Sequence, residues 1–140
     1  MVDHVDSVRR SAIMASVHSK DTRPELIVRR TIHALGYRFR LHKRDLPGKP
    51  DLVLARHRLA VFVHGCFWHR HPGCSKASLP KTHQDYWREK FAANRERDER
   101  VYAELTTAGW RVEVVWQCET RDKARLRQRL AETIGRYTKP

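Results

Sequence analysis

The run Val63-His64-Gly65-Cys66-Phe67-Trp68-His69-Arg70-His71-Pro72-Gly73-Cys74 places three histidines and two cysteines within twelve residues. Zinc takes four soft or borderline ligands in a tetrahedron, and ligands close in sequence supply the first half of such a site at small loop-closure cost. Cys66, His71 and Cys74 can supply three ligands and the distant Cys118 a fourth. The spacing is not that of a standard zinc finger, and the competing reading is three buried, idle cysteines. A closed four-ligand site is structural, because catalysis at zinc needs an open position. His64 and His69 fall outside that set, and a histidine with no ligand duty can act as a general base near neutral pH. The bland alternative for each is a solvated surface histidine.

Carboxylates supply the rest of the candidate chemistry. Asp98 shares a helical stripe with Phe91, Asn94, Val101 and Leu105, the face expected to point inward, and a buried carboxylate there demands a partner such as histidine. The alternative is an exposed Asp98 paired with Arg95 or Arg97. Pro50-Asp51 opens one apolar run and His64 closes the next, so a hairpin would bring Asp51 and His64 together. A lone carboxylate beside backbone carbonyls suits Mg²⁺, which keeps several of its waters. Glu25 is a candidate second carboxylate, although the capping box Thr22-Arg23-Pro24-Glu25 already accounts for it. Phe67, Trp68, Tyr86 and Trp87 stand amid Lys and Arg rather than inside apolar runs, which favours a stacking or wedge surface for bases over core. Met14 either joins that surface or packs.

The elements that must hold these residues follow from the patterning. Ser7 to Val17 can form a short helix in a basic arm spanning residues 1–22. The capping box starts a helix expected over 23–35 and ended by Gly36. Tyr37 to Leu41 alternates as a half-buried strand, and Leu46-Pro47-Gly48-Lys49-Pro50 breaks the chain. Asp51 to Ala55 and Leu59 to Val63 read as a hairpin in the middle of a sheet. A helix is expected from Thr82, with Thr82 and Asp85 as its capping signal, to Thr107. A strand over Trp110 to Trp116 and a basic helix over Thr120 to Arg136 complete the order, ahead of a frayed tail at 137–140. One α/β domain over residues 1–140, with helices on both faces of the sheet, is the architecture implied.

Composition narrows the class of function. Against 16 Asp and Glu the chain carries 29 Lys and Arg, a formal charge of +13 over 140 residues, which favours a polyanionic partner such as nucleic acid. The longest apolar run, Leu59 to Val63, is far shorter than the roughly 20 residues that cross a bilayer, and no secretory leader pattern opens the sequence. An odd number of cysteines argues against a disulfide framework and for a reducing, cytoplasmic setting.

His64-Gly65-Cys66-Phe67-Trp68-His69, taken with Asp21-Thr22 and Glu25, Leu46-Pro47-Gly48-Lys49-Pro50-Asp51, Trp87 ahead of Lys90, Asn94 with Arg97-Asp98, and Gly109-Trp110-Arg111-Val112 leading to Trp116 and Cys118, resembles the very-short-patch repair (Vsr) DNA mismatch endonucleases. The similarity runs from about Ser11 to Arg136. It implies a restriction-endonuclease-like fold in which Pro50-Asp51 of the PD-(D/E)xK signature is kept, while Phe62 and His64 stand where an acid and a lysine are usual. It also implies that Asp51 holds Mg²⁺ with a backbone carbonyl near Val63, that His69 oriented by Asp98 deprotonates water, and that Glu25 and His64 order metal-bound waters and phosphate. Cys66, His71, Cys74 and Cys118 would hold a structural zinc, and Phe67, Trp68 and Trp87 would intercalate, with Met14 as a further wedge. The implied substrate is double-stranded DNA carrying a T·G mispair, nicked 5′ of the T. A single nick needs one active centre, so a monomer is expected, with mismatch-repair proteins as candidate partners.

Overall fold

The computed structural model describes residues 22–136. The expected arm helix, Met14 and the tail at 137–140 lie outside these residues. Helix α1 (Arg23–Ala34) begins as the sequence dictates: the Thr22 hydroxyl accepts from the Glu25 N–H at 3.4 Å, and Pro24 sits in the first turn. Gly36, at φ +91°, ends it.

Four strands form one mixed sheet in the order β1-β2-β3-β4: β1 (Arg40–Leu41), β2 (Leu52–Leu54), β3 (Leu59–His64) and β4 (Arg111–Trp116). The expected hairpin is β2–β3, antiparallel with Val53 opposite Ala60, turning through a short 3₁₀ segment and Arg58 at φ +49°. It occupies the centre of the sheet. β3 and β4 run parallel, which sets His64 beside Trp116. The crossover between them carries the Cys/His segment and helix α2 (Gln84–Thr107), and helix α3 (Lys123–Arg136) follows β4.

Both faces of the sheet are covered. On one, Val28 and Ile32 of α1 and Leu126, Leu130 and Ile134 of α3 pack over Leu52, Leu54, Leu59, Val61 and Val115. On the other, Val101, Tyr102 and Leu105 of α2 pack on Ala60, Phe62, Val112 and Val114. Burial on both faces is the reason β2 and β3 read as near-continuous apolar runs rather than alternating ones.

Three boundaries differ from the sequence reading. The strand expected over 37–41 shrinks to Arg40–Leu41, because β2 offers so short a partner and the ladder ends where His42 turns to φ +47°. Tyr37 and Phe39 still pack on the core. Thr82 does not cap α2: the preceding residue, His83, is left-handed at φ 53° and no side chain caps the helix. Residues 117–121 form a 3₁₀ turn instead of the first turn of the last helix, since the Asp122 carboxylate accepts from the Arg125 N–H at 3.1 Å and starts α3 there.

Gly48 anchors the loop that delivers Asp51. It adopts φ +72°, and a Cβ there would stand 2.4 Å from Val101 Cγ1. Gly48→Ala is expected to lose about 1–3 kcal/mol of stability in denaturant unfolding. Gly36→Ala, whose positive φ faces no atom within 4 Å, should lose less. Equal losses would mean that backbone strain alone, not the α2 contact, requires glycine at position 48.

Candidate active site and cysteine–histidine cluster

A cleft of about 480 Å³ opens where the C-terminal end of β3 meets the start of β2 and the middle of α2, and Glu25, Asp51, His64, His69, Asp98 and Tyr102 line it. Asp51 comes from the residue before β2, and its carboxylate accepts from the Val63 N–H at 2.7 Å. That contact exists because the hairpin register sets the start of β2 against the end of β3. Burial pushes the Asp51 carboxyl up to about 7, against the lowering effect of the Val63 hydrogen bond and with the charge of Glu25 adding to the rise. A carboxylate held in such a field favours any positive charge brought to it, proton or metal.

The second half of the cleft is histidine chemistry. His69 Nδ1 lies 2.6 Å from Asp98 Oδ2. An ionised carboxylate only accepts, so Nδ1 carries the proton and Nε2 carries the lone pair. The alternative partners for Asp98 are settled by this contact, while Arg95 pairs with Glu99 at 3.9 Å. The His64 ring stacks on His69 with centroids 3.7 Å apart and planes 7° from parallel. Burial first, then the neighbouring His69, depresses His64 to about 3, so it stays neutral throughout the physiological range. Tyr102 Oη is 2.5 Å from His64 Nε2, and burial with the charges of Asp98 and Asp51 raises the phenol, which stays protonated.

Cys66, His71, Cys74 and Cys118 converge although Cys118 is far away in sequence, because the parallel pairing of β3 and β4 brings both strand ends to the same edge. One donor atom from each lies within 4.8 Å of all the others, with Cys118 Sγ 3.5 Å from His71 Nδ1. Ligands at about 2.3 Å from a tetrahedral zinc stand about 3.8 Å apart, so the donor set fits that ion in number, chemistry and spacing. His71 is held by stacking on Trp116, centroids 4.3 Å apart.

The aromatics next to the cleft pack on one another. Phe67 contacts Trp68 and Phe91 edge to face at 5.1 Å, and Trp87 stacks on Phe91 at 5.7 Å. Trp68 is buried, with 8% exposure, whereas Phe67 and Trp87 are half-buried and Tyr86 is exposed. Arg70 secures this cluster: its guanidinium lies 4.0 Å over Phe91 and donates to the carbonyl oxygens of Phe67, Ala77 and Ser78. Asn94, buried on the α2 stripe, donates to the Trp68 carbonyl at 3.3 Å.

Two residues of the cleft region escaped the sequence reading. Tyr102 carried a usable signal, since it stands one helical turn beyond Asp98 on the same face of α2. His42 carried none: it lies in an irregular loop, yet its N–H bonds the Asp51 carbonyl at 3.2 Å and its ring meets Glu25 and approaches Asp51.

The family model described as DNA mismatch endonuclease Vsr matches residues 2–76. The chain is 55% identical over 134 residues to the type II nicking enzyme V.XorIIP of Xanthomonas oryzae pv. oryzae, covering 96% of this chain and 98% of that one. It is 38% identical over 126 residues to the DNA mismatch endonuclease Vsr of Escherichia coli K12, covering 90% and 80%. Among solved structures, the catalytic domain of the homing endonuclease I-Bth0305I superposes with a TM-score of 0.60 at 20% identity, over 85% of this chain and all of that one, a likeness of fold.

Proposed function

Because the chain belongs to the Vsr family of DNA mismatch endonucleases, we propose that it nicks one strand of duplex DNA 5′ of the T in a T·G mispair, the incision step in repair of deaminated 5-methylcytosine. The observation that carries the chemistry is the convergence of Asp51 and the His69–Asp98 pair on one cleft. Asp51, with a backbone carbonyl near Val63, would hold a divalent cation, Mg²⁺ in this reading. Such an ion, when bound, neutralises charge developing on the scissile phosphate. His69 takes the proton from the attacking water through Nε2, and Asp98 holds its imidazole in that tautomer and stabilises the imidazolium that forms. The water oxygen bonds to phosphorus as the bond from phosphorus to the 3′ oxygen breaks, and the departing 3′ oxygen takes a proton from solvent, leaving a 5′-phosphate and a 3′-hydroxyl. His64, neutral and tied to Tyr102, donates no charge and orders the phosphate and its waters together with Glu25.

Binding draws on the surroundings of the cleft. Lys49 and Arg97 line it and can meet phosphate oxygens. Phe67 and Trp68 line it, Trp87 packs against both, and Met14 would add a wedge from the arm. A mispair unstacks more cheaply than a matched pair, by roughly a few kcal/mol, which gives wedge residues their selectivity. The cluster of Cys66, His71, Cys74 and Cys118 would hold a structural zinc that fixes the aromatic loop. One active centre suffices for a nick, so this reading has a monomer acting on cytoplasmic DNA.

End-group analysis tests the chemistry. Incision of a T·G duplex in Mg²⁺ should yield ends that DNA ligase reseals without prior phosphorylation, and EDTA should stop it. Incision that persists in EDTA, or ends that ligase cannot join, would count against this mechanism.

A further inference from the structure

One turn of α2 reaches both histidines of the cleft. Asp98 and Tyr102 stand at positions i and i+4 of the helix and therefore on one face of it. Asp98 meets His69 Nδ1 at 2.6 Å, and the Tyr102 hydroxyl meets His64 Nε2 at 2.5 Å. Between these two contacts the imidazoles stack, with centroids 3.7 Å apart and planes 7° from parallel.

The stack supplies a constraint that Asp98 alone does not. A single hydrogen bond fixes one edge of the His69 ring and leaves the ring free to swing about the bond line, which carries Nε2 toward or away from the water it must reach. A parallel ring in contact removes that freedom only if it is itself held. His64 is the last residue of β3, and its side chain keeps its χ1 and χ2 rotations unless something grips the far edge of the ring. Phe62 and Trp116 border it, with centroids 5.6 and 5.7 Å away, and the Tyr102 hydroxyl bonds its Nε2. Whichever of the two groups donates, the bond anchors that edge and so sets the plane of the ring. Tyr102 is braced in turn, edge to face on Phe62 at 5.6 Å within the cluster that packs α2 on the sheet.

We propose that Tyr102 is a positioning residue for incision: its hydroxyl holds the His64 ring as a plate against which His69 keeps the plane that aims Nε2 at the attacking water. The inference rests on the reading of His69 as the base and adds a residue that acts on the reacting atoms only through two rings. Misplacing a reacting group by about 1 Å can cost 10²-fold in rate, so the hydroxyl matters although the proton-transfer groups themselves stay intact.

Tyr102→Phe removes the hydroxyl and keeps the ring on Phe62. The variant should melt close to wild type, bind T·G duplex with unchanged affinity in gel shift, and lose about tenfold in single-turnover incision. In a His64→Ala background the same change should cost nothing further, because the hydroxyl has lost the ring it holds. Wild-type incision by Tyr102→Phe, a parallel loss of binding, or the same tenfold loss in both backgrounds overturns the proposal. Side-chain ¹H–¹⁵N spectra of the histidines in the full-length protein without DNA give a readout independent of incision. Tyr102→Phe should move the ring resonances of His64 and His69 together, and movement confined to His64, or none, also overturns the proposal. If both rings respond but wild type incises no T·G duplex, the coupling stands and the substrate assignment is what fails.

Discussion

His69→Ala is expected to lose incision by about 10²–10⁴-fold while binding mismatched duplex close to wild type. The residue lies at the cleft with its Nδ1 committed to Asp98 at 2.6 Å, a pairing that leaves Nε2 as the basic nitrogen and puts a charge stabiliser behind the ring. His64 cannot substitute, because burial depresses its basicity and Tyr102 occupies its Nε2. Asp98→Asn should move activity in the same direction with the ring retained, since an amide can donate to Nδ1 and favour the wrong tautomer. Gel-shift titration beside single-turnover incision separates the two readouts. Wild-type incision by His69→Ala would remove the proton-transfer step from this account.

Asp51→Asn should abolish metal-dependent incision and at the same time raise thermal stability in metal-free buffer at pH 8. The carboxylate is buried beside Glu25, and burial raises its pKa in the folded state to about 7, well above the usual carboxylate range. A group whose folded pKa is raised stabilises the fold fully below its unfolded pKa and loses that contribution as pH climbs through the folded value. At pH 8 the wild type therefore carries the whole penalty of an ionised, buried carboxylate, and the amide does not. The stability gap between variant and wild type should shrink as pH falls from 8 toward 4. Asn keeps an oxygen for the Val63 N–H, so the hairpin contact survives the change. Melting curves across that pH range, with and without Mg²⁺, check both signs: Mg²⁺ should raise the melting temperature of the wild type and leave the variant unmoved. A variant less stable than wild type at pH 8 would contradict the idea that function here costs stability.

Elements built on local chemistry were legible in the sequence. The Thr22 cap and Gly36 bracket α1, while Glu25, expected to complete a capping box, turns its carboxylate to Arg29 instead, and the two apolar runs around Arg56-His57-Arg58 are the central hairpin. The hairpin also justified linking Asp51 to the end of the next strand, where Val63 meets it. Cys118 was assigned to Cys66, His71 and Cys74 on ligand chemistry, and the parallel β3–β4 pairing is the physical reason that assignment closes. The failures share a cause, which is that they depend on partners distant in the chain. β1 is short because β2 is short, a fact of pairing rather than propensity. Composition suggested a stacking surface for Trp68, whose burial comes from Phe67, Phe91 and the Arg70 clamp. His42 owes its place to a left-handed backbone turn, which its sequence neighbours do not announce.

Strand-specific cutting at a mispair is what sets this cleft apart from that of an ordinary nuclease. The direct measurement is a nicking assay in Mg²⁺ on duplexes labelled separately on each strand, comparing a pool of T·G mismatches in varied flanking sequence with matched T·A controls. The expected result is incision of the T strand alone, 5′ of the mismatched T, with matched duplex intact. Cleavage of both strands in matched DNA, or binding of every duplex with no cut in any, would contradict it.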